Sequence, residues 1–452
     1  MSGYENYTLS PVPWIKQMPE HWGLVRGKNL YQKMQRPTSD TDEVVTCFRD
    51  GTVTLRKNRR TTGFTESLKE IGYQGIRKGD LVIHVMDAFA GSIGVSDSDG
   101  KGTPVYSVCQ AKGNSNNQYY ALLLREMARS GYIQSLYRGI RERSSDFRFE
   151  VFAAQFYPVP PREEQDQIVC FLDWKVSSIN KLIRIRKRQI EELEAIKRSS
   201  IGYLVMGQAQ SIPQRDTEVN WVKTIPAHWN EKTLIQVAEE QQIKNAGMVE
   251  DNLLSLSYGK IINKDINTTD GLLPSSFEGY QVVHDGNIIL RLTDLQNDHK
   301  SLRTGLVTQT GIITSAYTCL KVRHNILPEY LQLQLHVADL CKVFYGMGGG
   351  VRQSIGFTEI RKLVIAIPPV EEQQYILDRV HGIEKPINCA IQNIRDIIAG
   401  LEDLKTRLIS DTVTGKIDIR SIEIPEYEFV DEDNDNVDEN LEQGADEPPE
   451  EE

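Results

Sequence analysis

The chain has 452 residues, 39 % of them hydrophobic, enough to fill the cores of two or three domains. No apolar run approaches the roughly 20 residues that a membrane helix needs, and no basic-then-apolar leader opens the sequence, so the expectation is a cytoplasmic protein. The formal charge of −11 is uneven: Glu423 to Glu452 carries 15 acidic residues and no Lys or Arg, leaving 52 − 48 = +4 on the rest.

In chain order, the first feature is Trp14-Ile-Lys-Gln-Met-Pro19-Glu-His21-Trp22. Residues 23–157 then hold 20 Lys plus Arg against 14 Asp plus Glu, a surplus of 6. Within them Val44 to Phe48, Asp80 to Met86 and Pro104 to Cys109 read as strands, punctuated by Gly51, Gly79 and Gly91, and Tyr119 to Met127 reads as a short helix. From Pro160 to Gly207 a long helix is expected. Paired prolines set an extended approach, Glu163 and Glu164 suit its first turn, and Gly207 can cap its end. Val169, Leu172, Val176, Ile179, Ile183, Ile190 and Leu193 fall on a heptad seam broken only at Arg186. Such a stripe on a long helix requires a partner helix.

The chain then repeats itself. Trp221-Val-Lys-Thr-Ile-Pro226-Ala-His228-Trp229 restates the opening motif at a shift of 207, and Pro368 to Gly415 restates the long helix at 208. Leu377, Val380, Ile387, Ile391, Ile394, Ile398, Leu401 and Leu408 lie on the matching seam, which breaks at Glu384, and Pro386 predicts an interruption or kink. Between them Leu253 to Leu256, Val282-Val283, Asn287 to Leu292 and Ile312 to Leu320 read as strands and Glu329 to Leu340 as a helix. Gly79, His84 and Asp87 align with Gly286, Arg291 and Asp294. Residues 229–367 carry 13 basic against 14 acidic side chains. Two copies make a duplication, not a solenoid. The expected fold is α+β: mixed units over 1–157 and 210–367, helical repeats over 158–209 and 368–420 that pair antiparallel, and a disordered acidic tail over 421–452.

Motifs for catalysis are missing. No GxxxxGK[ST] loop, HExxH pair, NPPY-like or DPPY-like run, or clustered nuclease acids occur, and Phe89 to Gly94 is a lone glycine-rich turn. The six cysteines are scattered without a CxxC pair, which suits reduced thiols and argues against a zinc site. His21 and His228 are expected to pack beside their tryptophans.

Equipment for nucleic acid remains. Arg56, Lys57, Arg59 and Arg60 form a basic run suited to phosphates. Arg141, Arg143, Ser144 and Ser145 lie in a second basic, hydroxyl-rich loop. Its counterpart, the glycine stretch from Gly346, delivers Arg352, Gln353 and Ser354, and Arg and Gln make bidentate contacts to guanine and adenine. An ordinary surface loop with a glycine hinge is the competing reading. His84, its counterpart Arg291, and Lys260 complete the candidate DNA contacts. Lys181, Arg184 and Arg188 share one face of the central helix and, with Arg395, are candidate partner-binding residues; a solvated face is the alternative.

At this point the sequence resembles the specificity (S) subunit of type I restriction-modification enzymes. The carriers are the WxxxxPxHW opening of each half, the PPxEEQ helix starts, the long paired helices and Thr414-Gly415-Lys416, together covering residues 4–420. The resemblance implies two target recognition domains that read the halves of a split DNA sequence, with the helices as spacer and as dock for two modification (M) subunits. It implies two restriction (R) subunits in the full complex, and AdoMet, ATP and Mg2+ on those partners, not on this chain. A helix of about 40 residues spans roughly 60 Å, a stiff strut that fits this role. A free-standing DNA-binding regulator and a coiled-coil protein scaffold are the alternative readings. The acidic tail lies beyond the shared region.

Overall fold

The computed structural model describes residues 3–59, 71–136, 147–208, 212–266, 276–295, 302–323, 325–347 and 354–431. Two compact units divide the chain: Met1–Ile185 with Asp396–Asp433, and Arg186–Arg395 with Asn434–Glu452. Each unit thus combines a globular part with the start of one long helix and the end of the other.

The first unit runs through β1 (Tyr7–Leu9), β2 (Gln17–Pro19), β3 (Gly23–Arg26), α1 (Gly27–Leu30), β4 (Tyr31–Lys33), β5 (Val45–Cys47), β6 (Val53–Leu55), β7 (Gln74–Ile76) and β8 (Leu81–His84). It continues with β9 (Ile93–Val95), β10 (Gly100–Gly102), β11 (Tyr106–Ala111), α2 (Asn117–Arg129), α3 (Tyr132–Ser135), α4 (Phe149–Ala154), β12 (Phe156–Val159) and α5 (Arg162–Val205). Four strands form one sheet in the order β4-β11-β8-β9, beside the pairs β1-β2, β3-β12, β5-β6 and β7-β10. Leu81, Val82 and Ile83 of β8 are fully buried, the unbroken apolar run of a strand covered on both faces.

The second unit repeats this order with β13 (Gln214–Asp216), β14 (Thr224–Pro226), β15 (Asn230–Thr233), α6 (Leu234–Val237), β16 (Ala238–Glu240), β17 (Leu254–Ser257), β18 (Lys260–Asn263), β19 (Gln281–Val283) and β20 (Ile288–Leu290). Then come β21 (Thr304–Leu306), β22 (Gly311–Ile313), β23 (Thr318–Val322), α7 (Pro328–Leu340), α8 (Phe357–Ile360), β24 (Val364–Ile367) and α9 (Val370–Val413). Its sheet order, β16-β23-β20-β21, with the pairs β13-β14, β15-β24, β17-β18 and β19-β22, matches the first unit strand for strand. The run Ile312 to Leu320, read from sequence as one strand, is two. Chain turning at Thr314 to Tyr317 separates β22 from β23, and the two lie in different sheets.

The long helices are each 44 residues. In the first unit Ile179 and Ile183 of α5 share a core with Ile398, Leu401 and Leu408 of α9. In the second, Ile201, Leu204 and Val205 of α5 share one with Ile376, Leu377 and Val380 of α9. The start of each helix meets the end of the other, so the pairing is antiparallel, as the seams require. Both helices end at glycines with left-handed backbone, φ +68° at Gly207 and +75° at Gly415. These glycines are fixed twice over: a Cβ on Gly207 would lie 2.6 Å from Pro226 and 2.9 Å from Trp229, and one on Gly415 2.5 Å from Pro19 and 2.8 Å from Trp22. The repeated Pro and Trp of the opening motif are therefore the seats for the helix ends.

Two expectations change. The helix is not interrupted at Pro386, which lies inside continuous α9. A proline there removes one backbone bond, and the residue four before it is Gly382, which has no side chain to add to the crowding. The beginning of the acidic segment is also not free. Gln167 donates to the Ile422 carbonyl (2.7 Å), Ser177 to Glu428 (2.9 Å) and Asn180 to Val430 (3.2 Å), so residues 421–431 lie along α5. Residues 432–452 lie outside the described residues.

Candidate nucleic-acid interface

In each unit the same three connections gather: the β5-β6 or β17-β18 tip, the link after the central strand β8 or β20, and the segment between α2 or α7 and the next sheet. The framework is constant, yet the connections differ in length. The tip has 5 residues (48–52) in the first unit and 2 (258–259) in the second; the link has 8 (85–92) and 13 (291–303). Loops set on a rigid scaffold and free to vary are where binding specificity resides.

In the first unit the Arg49 guanidinium donates to Asp87 (3.0 Å), joining the tip to the link. Arg59 pairs with Asp50 at 2.6 Å and lies 4.4 Å over the Phe48 ring. Burial raises the Asp50 carboxyl, but the Thr52 N–H and the Arg59 guanidinium outweigh it and hold the group below its usual range. Glycine is required at position 94, where a Cβ would sit 1.9 Å from the Gly51 carbonyl oxygen; the glycine-rich turn serves this close approach. Phe147 N–H donates to the Val85 carbonyl (3.0 Å), which stitches the residues leading into α4 to the link.

The second unit repeats that stitch, Ile355 N–H donating to the Leu292 carbonyl at 3.0 Å just before α8. Its fastener differs. Arg303 is completely buried and donates to the carbonyls of Arg291 (3.1 Å) and Thr293 (2.8 Å), and to the Tyr345 hydroxyl (3.0 Å). Asp339 accepts from its backbone N–H at 2.8 Å. One guanidinium fork thus ties the link to the segment after α7. The tip joins the same cluster, because the α-carbon face of Gly259 lies against Leu302.

The sequence-derived candidates fall unevenly on this cluster. Arg56 and Lys57 occupy a single 3-10 turn after β6, Arg56 half-buried and Lys57 exposed with its ammonium on Glu43 (2.7 Å). Arg59 is spoken for by Asp50 and Phe48. His84 closes β8, with its Nδ1 accepting from the Asp87 N–H (3.1 Å) and its ring edge-on to Tyr106. Burial lowers its pKa, with Asp87 opposing, so the ring is neutral near pH 7. Arg291 is half-buried at the end of β20, Lys260 is exposed beside the tip, and Ser354 is exposed beside Ile355. Arg60, Arg141, Arg143, Ser144, Ser145, Arg352 and Gln353 lie outside the described residues. On the helices, Lys181 pairs with Glu428 (3.1 Å) and Arg188 with Glu192 (3.2 Å), and Arg184 and Arg395 are exposed.

Sequence reading missed what the PPxEEQ motif does. Glu164, treated as a first-turn acid, is buried and accepts from His21 (2.8 Å), Trp22 Nε1 (3.0 Å) and the Tyr4 hydroxyl. Glu372 accepts from His228 (2.7 Å) and Trp229 Nε1 (3.1 Å). Gln165 donates to Pro160 O and accepts from Asn116 N–H, and Gln373 does the same with Pro368 and Leu327. The signal was present: His-Trp and Glu-Gln recur at shifts of 207 and 208, so they had to be positioned together. Among the described residues no group of three or more His, Cys, Asp or Glu could hold a metal ion, and no helix is long and apolar enough to cross a membrane.

Residues 306–398 match the family model for the type I restriction modification DNA specificity domain. No curated protein matches the chain. Among solved structures, a chain from a study of complex assembly and conformational transition of the type I R-M system aligns at TM-score 0.62 with 14 % identity, over 88 % of this chain and 99 % of that one. The HsdS subunit from Thermoanaerobacter tengcongensis aligns at 0.45 and 15 %, over 88 % and 98 %. The type I restriction-modification S subunit from M. genitalium aligns at 0.33 and 12 %, over 92 % and 100 %. In the sequence of residues 306–398 the chain resembles the type I restriction modification DNA specificity domain, and over 88 % of its length its fold resembles that of the chain from the type I R-M system.

Proposed function

We propose that this chain is the DNA sequence-recognition subunit of a type I restriction-modification complex, and that it makes and breaks no bonds itself. The observation that carries the reading is the duplication of one framework with unlike loop clusters: strand order repeats without exception, while the tip and link change length and fastening. Two copies of one scaffold with different contents suit the two unlike halves of an asymmetric, interrupted target. The loop clusters offer cations, amides and hydroxyls, which bind phosphates and base edges. Methyl transfer and ATP-driven cleavage belong on this reading to two M and two R subunits that bring AdoMet, ATP and Mg2+, and the complex works in the cytoplasm.

Methylome sequencing of cells carrying this chain and its M subunit is the direct test. The expected result is one bipartite methylated motif that appears only when both are present. Methylation by the purified chain alone, or a motif unchanged when this chain is replaced, overturns the reading.

The same experiment tests the helices as the ruler between half-sites. Deleting Arg184 to Ile190 and Gln392 to Ile398 removes one heptad from each helix and keeps both seams in phase. Each helix shortens by roughly 10 Å, about three base pairs of rise. Both half-site sequences are expected to persist with a narrower gap. An unchanged gap in an active complex removes the helices from that role.

A further inference from the structure

The tip of the β17-β18 hairpin has a residue that the fold does not explain. Ser257 faces Lys260 across the pair, leaving Tyr258 and Gly259 as a two-residue loop. Both have positive φ, +46° and +76°, as a type I′ turn demands. Asn, Asp and Gly suit the first of these positions. A bulky tyrosine there is an outlier. Its side chain is not packed: Tyr258 is 82 % exposed, the most exposed aromatic residue described. It has no hydrogen bond or ring partner among the described residues, and neighbouring Lys260 is exposed with no ion-pair partner among them.

The place of the tip matters as much as its composition. Gly259 lies against Leu302, the residue before Arg303, whose guanidinium binds the β20-β21 link and Tyr345. Tyr258 therefore sits at the edge of the same loop cluster as the β20-β21 link and Tyr345. In the equivalent tip of the first unit Phe48 is half-buried, with the Arg59 guanidinium 4.4 Å over its ring.

Resting on the DNA-recognition reading, we propose that this tip is a DNA-contacting element of the second unit, with the Tyr258 ring stacking against bases or sugars and the Lys260 ammonium on a flanking phosphate. An exposed ring has a face for any base, and an adjacent cation secures the backbone. A strained, unpacked aromatic is what such a contact leaves in the free protein.

The test uses the full chain with its M subunit and fluorescence anisotropy on two duplexes: one with the methylated bipartite sequence, one with both halves scrambled. Tyr258→Asn is the decisive variant, because Asn is favoured in this turn and its melting temperature should not fall. It is expected to weaken cognate binding about tenfold, the scale of one lost stacking contact. Tyr258→Phe keeps the ring and should stay within about twofold, given that stacking is tolerant of substituents. Tyr258→Asn binding the cognate duplex like the wild type overturns the proposal while leaving the DNA-recognition reading intact. A wild-type complex that does not distinguish the two duplexes overturns both.

Discussion

The two loop clusters solve one mechanical problem in different ways. In the first unit, ion pairs near the surface fasten the tip: Arg49 to Asp87 and Arg59 to Asp50, with Arg49 side-chain exposure at 68 %. In the second, a single guanidinium with no exposure fastens the link and the segment after α7 through carbonyls and a hydroxyl. The difference follows loop length. A link of 8 residues can be held by backbone contact with the tip, as Gly91 shows, where a Cβ would lie 2.7 Å from the Arg49 carbonyl oxygen. A link of 13 needs an internal post. The framework can therefore accept loops of unlike size without altering its sheet, provided each brings its own fastener.

A similar asymmetry exists where the helices begin, and the largest expected effect lies there. Glu164, its side chain 4 % exposed, accepts from His21, Trp22 and Tyr4, whereas Glu372, 15 % exposed, accepts from His228 and Trp229. Glu164→Ala strands a buried indole N–H and a buried phenol, for an expected loss of about 4 kcal/mol, against about 2 kcal/mol for Glu372→Ala. Urea unfolding of the full chain reads both. Equal losses would mean that the deeper burial of Glu164 adds nothing to holding the opening motif on α5.

Next in size is the pair of fasteners. Arg303→Met is expected to cost about 3 kcal/mol, since several carbonyls and the Tyr345 hydroxyl lose their donor in a closed site. Arg59→Met should cost about 1 kcal/mol, because Asp50 is partly exposed and water can replace the partner. In a methylome assay Arg303→Met should blur one half-site and spare the other. Blurring of both would show that the two clusters do not read independently.

Much of the framework was legible in the sequence, because repetition and periodicity are properties of the chain alone. The shifts of 207 and 208 gave the duplicated architecture, and the heptad positions gave the antiparallel pair that Ile179 and Leu408 now display. Gly207 and Gly415 were recognisable as caps, though not as seats for Pro226 and Pro19. The fasteners were not legible. Arg303 stands in no motif, and only the fold brings it to carbonyls ten or so residues away and to Tyr345. Arg59 read as a free cation until Asp50 and Phe48 were folded against it. Charge in a sequence says what a side chain could bind; its neighbours in space determine whether it is available.

That last point gives the smallest and most discriminating prediction. Lys57 and Lys260 look alike in sequence, each a lysine beside a hairpin of its unit. Lys57 is on Glu43, 2.7 Å away, whereas Lys260 has no such partner among the described residues. A lysine that neutralises one phosphate contributes about 0.9 to the slope of log affinity against log salt. Lys260→Ala should therefore flatten that slope by roughly this amount, on cognate and random duplex alike, with little change in stability. Lys57→Ala should flatten it by less, because its ammonium must first leave Glu43, and exposed pairs of this kind are worth about 0.2 to 1 kcal/mol. Titrations at several salt concentrations separate the two. Equal slopes for both variants would show that Lys57 abandons Glu43 for the phosphate, and that the two units meet the DNA backbone in the same way despite their different fastenings.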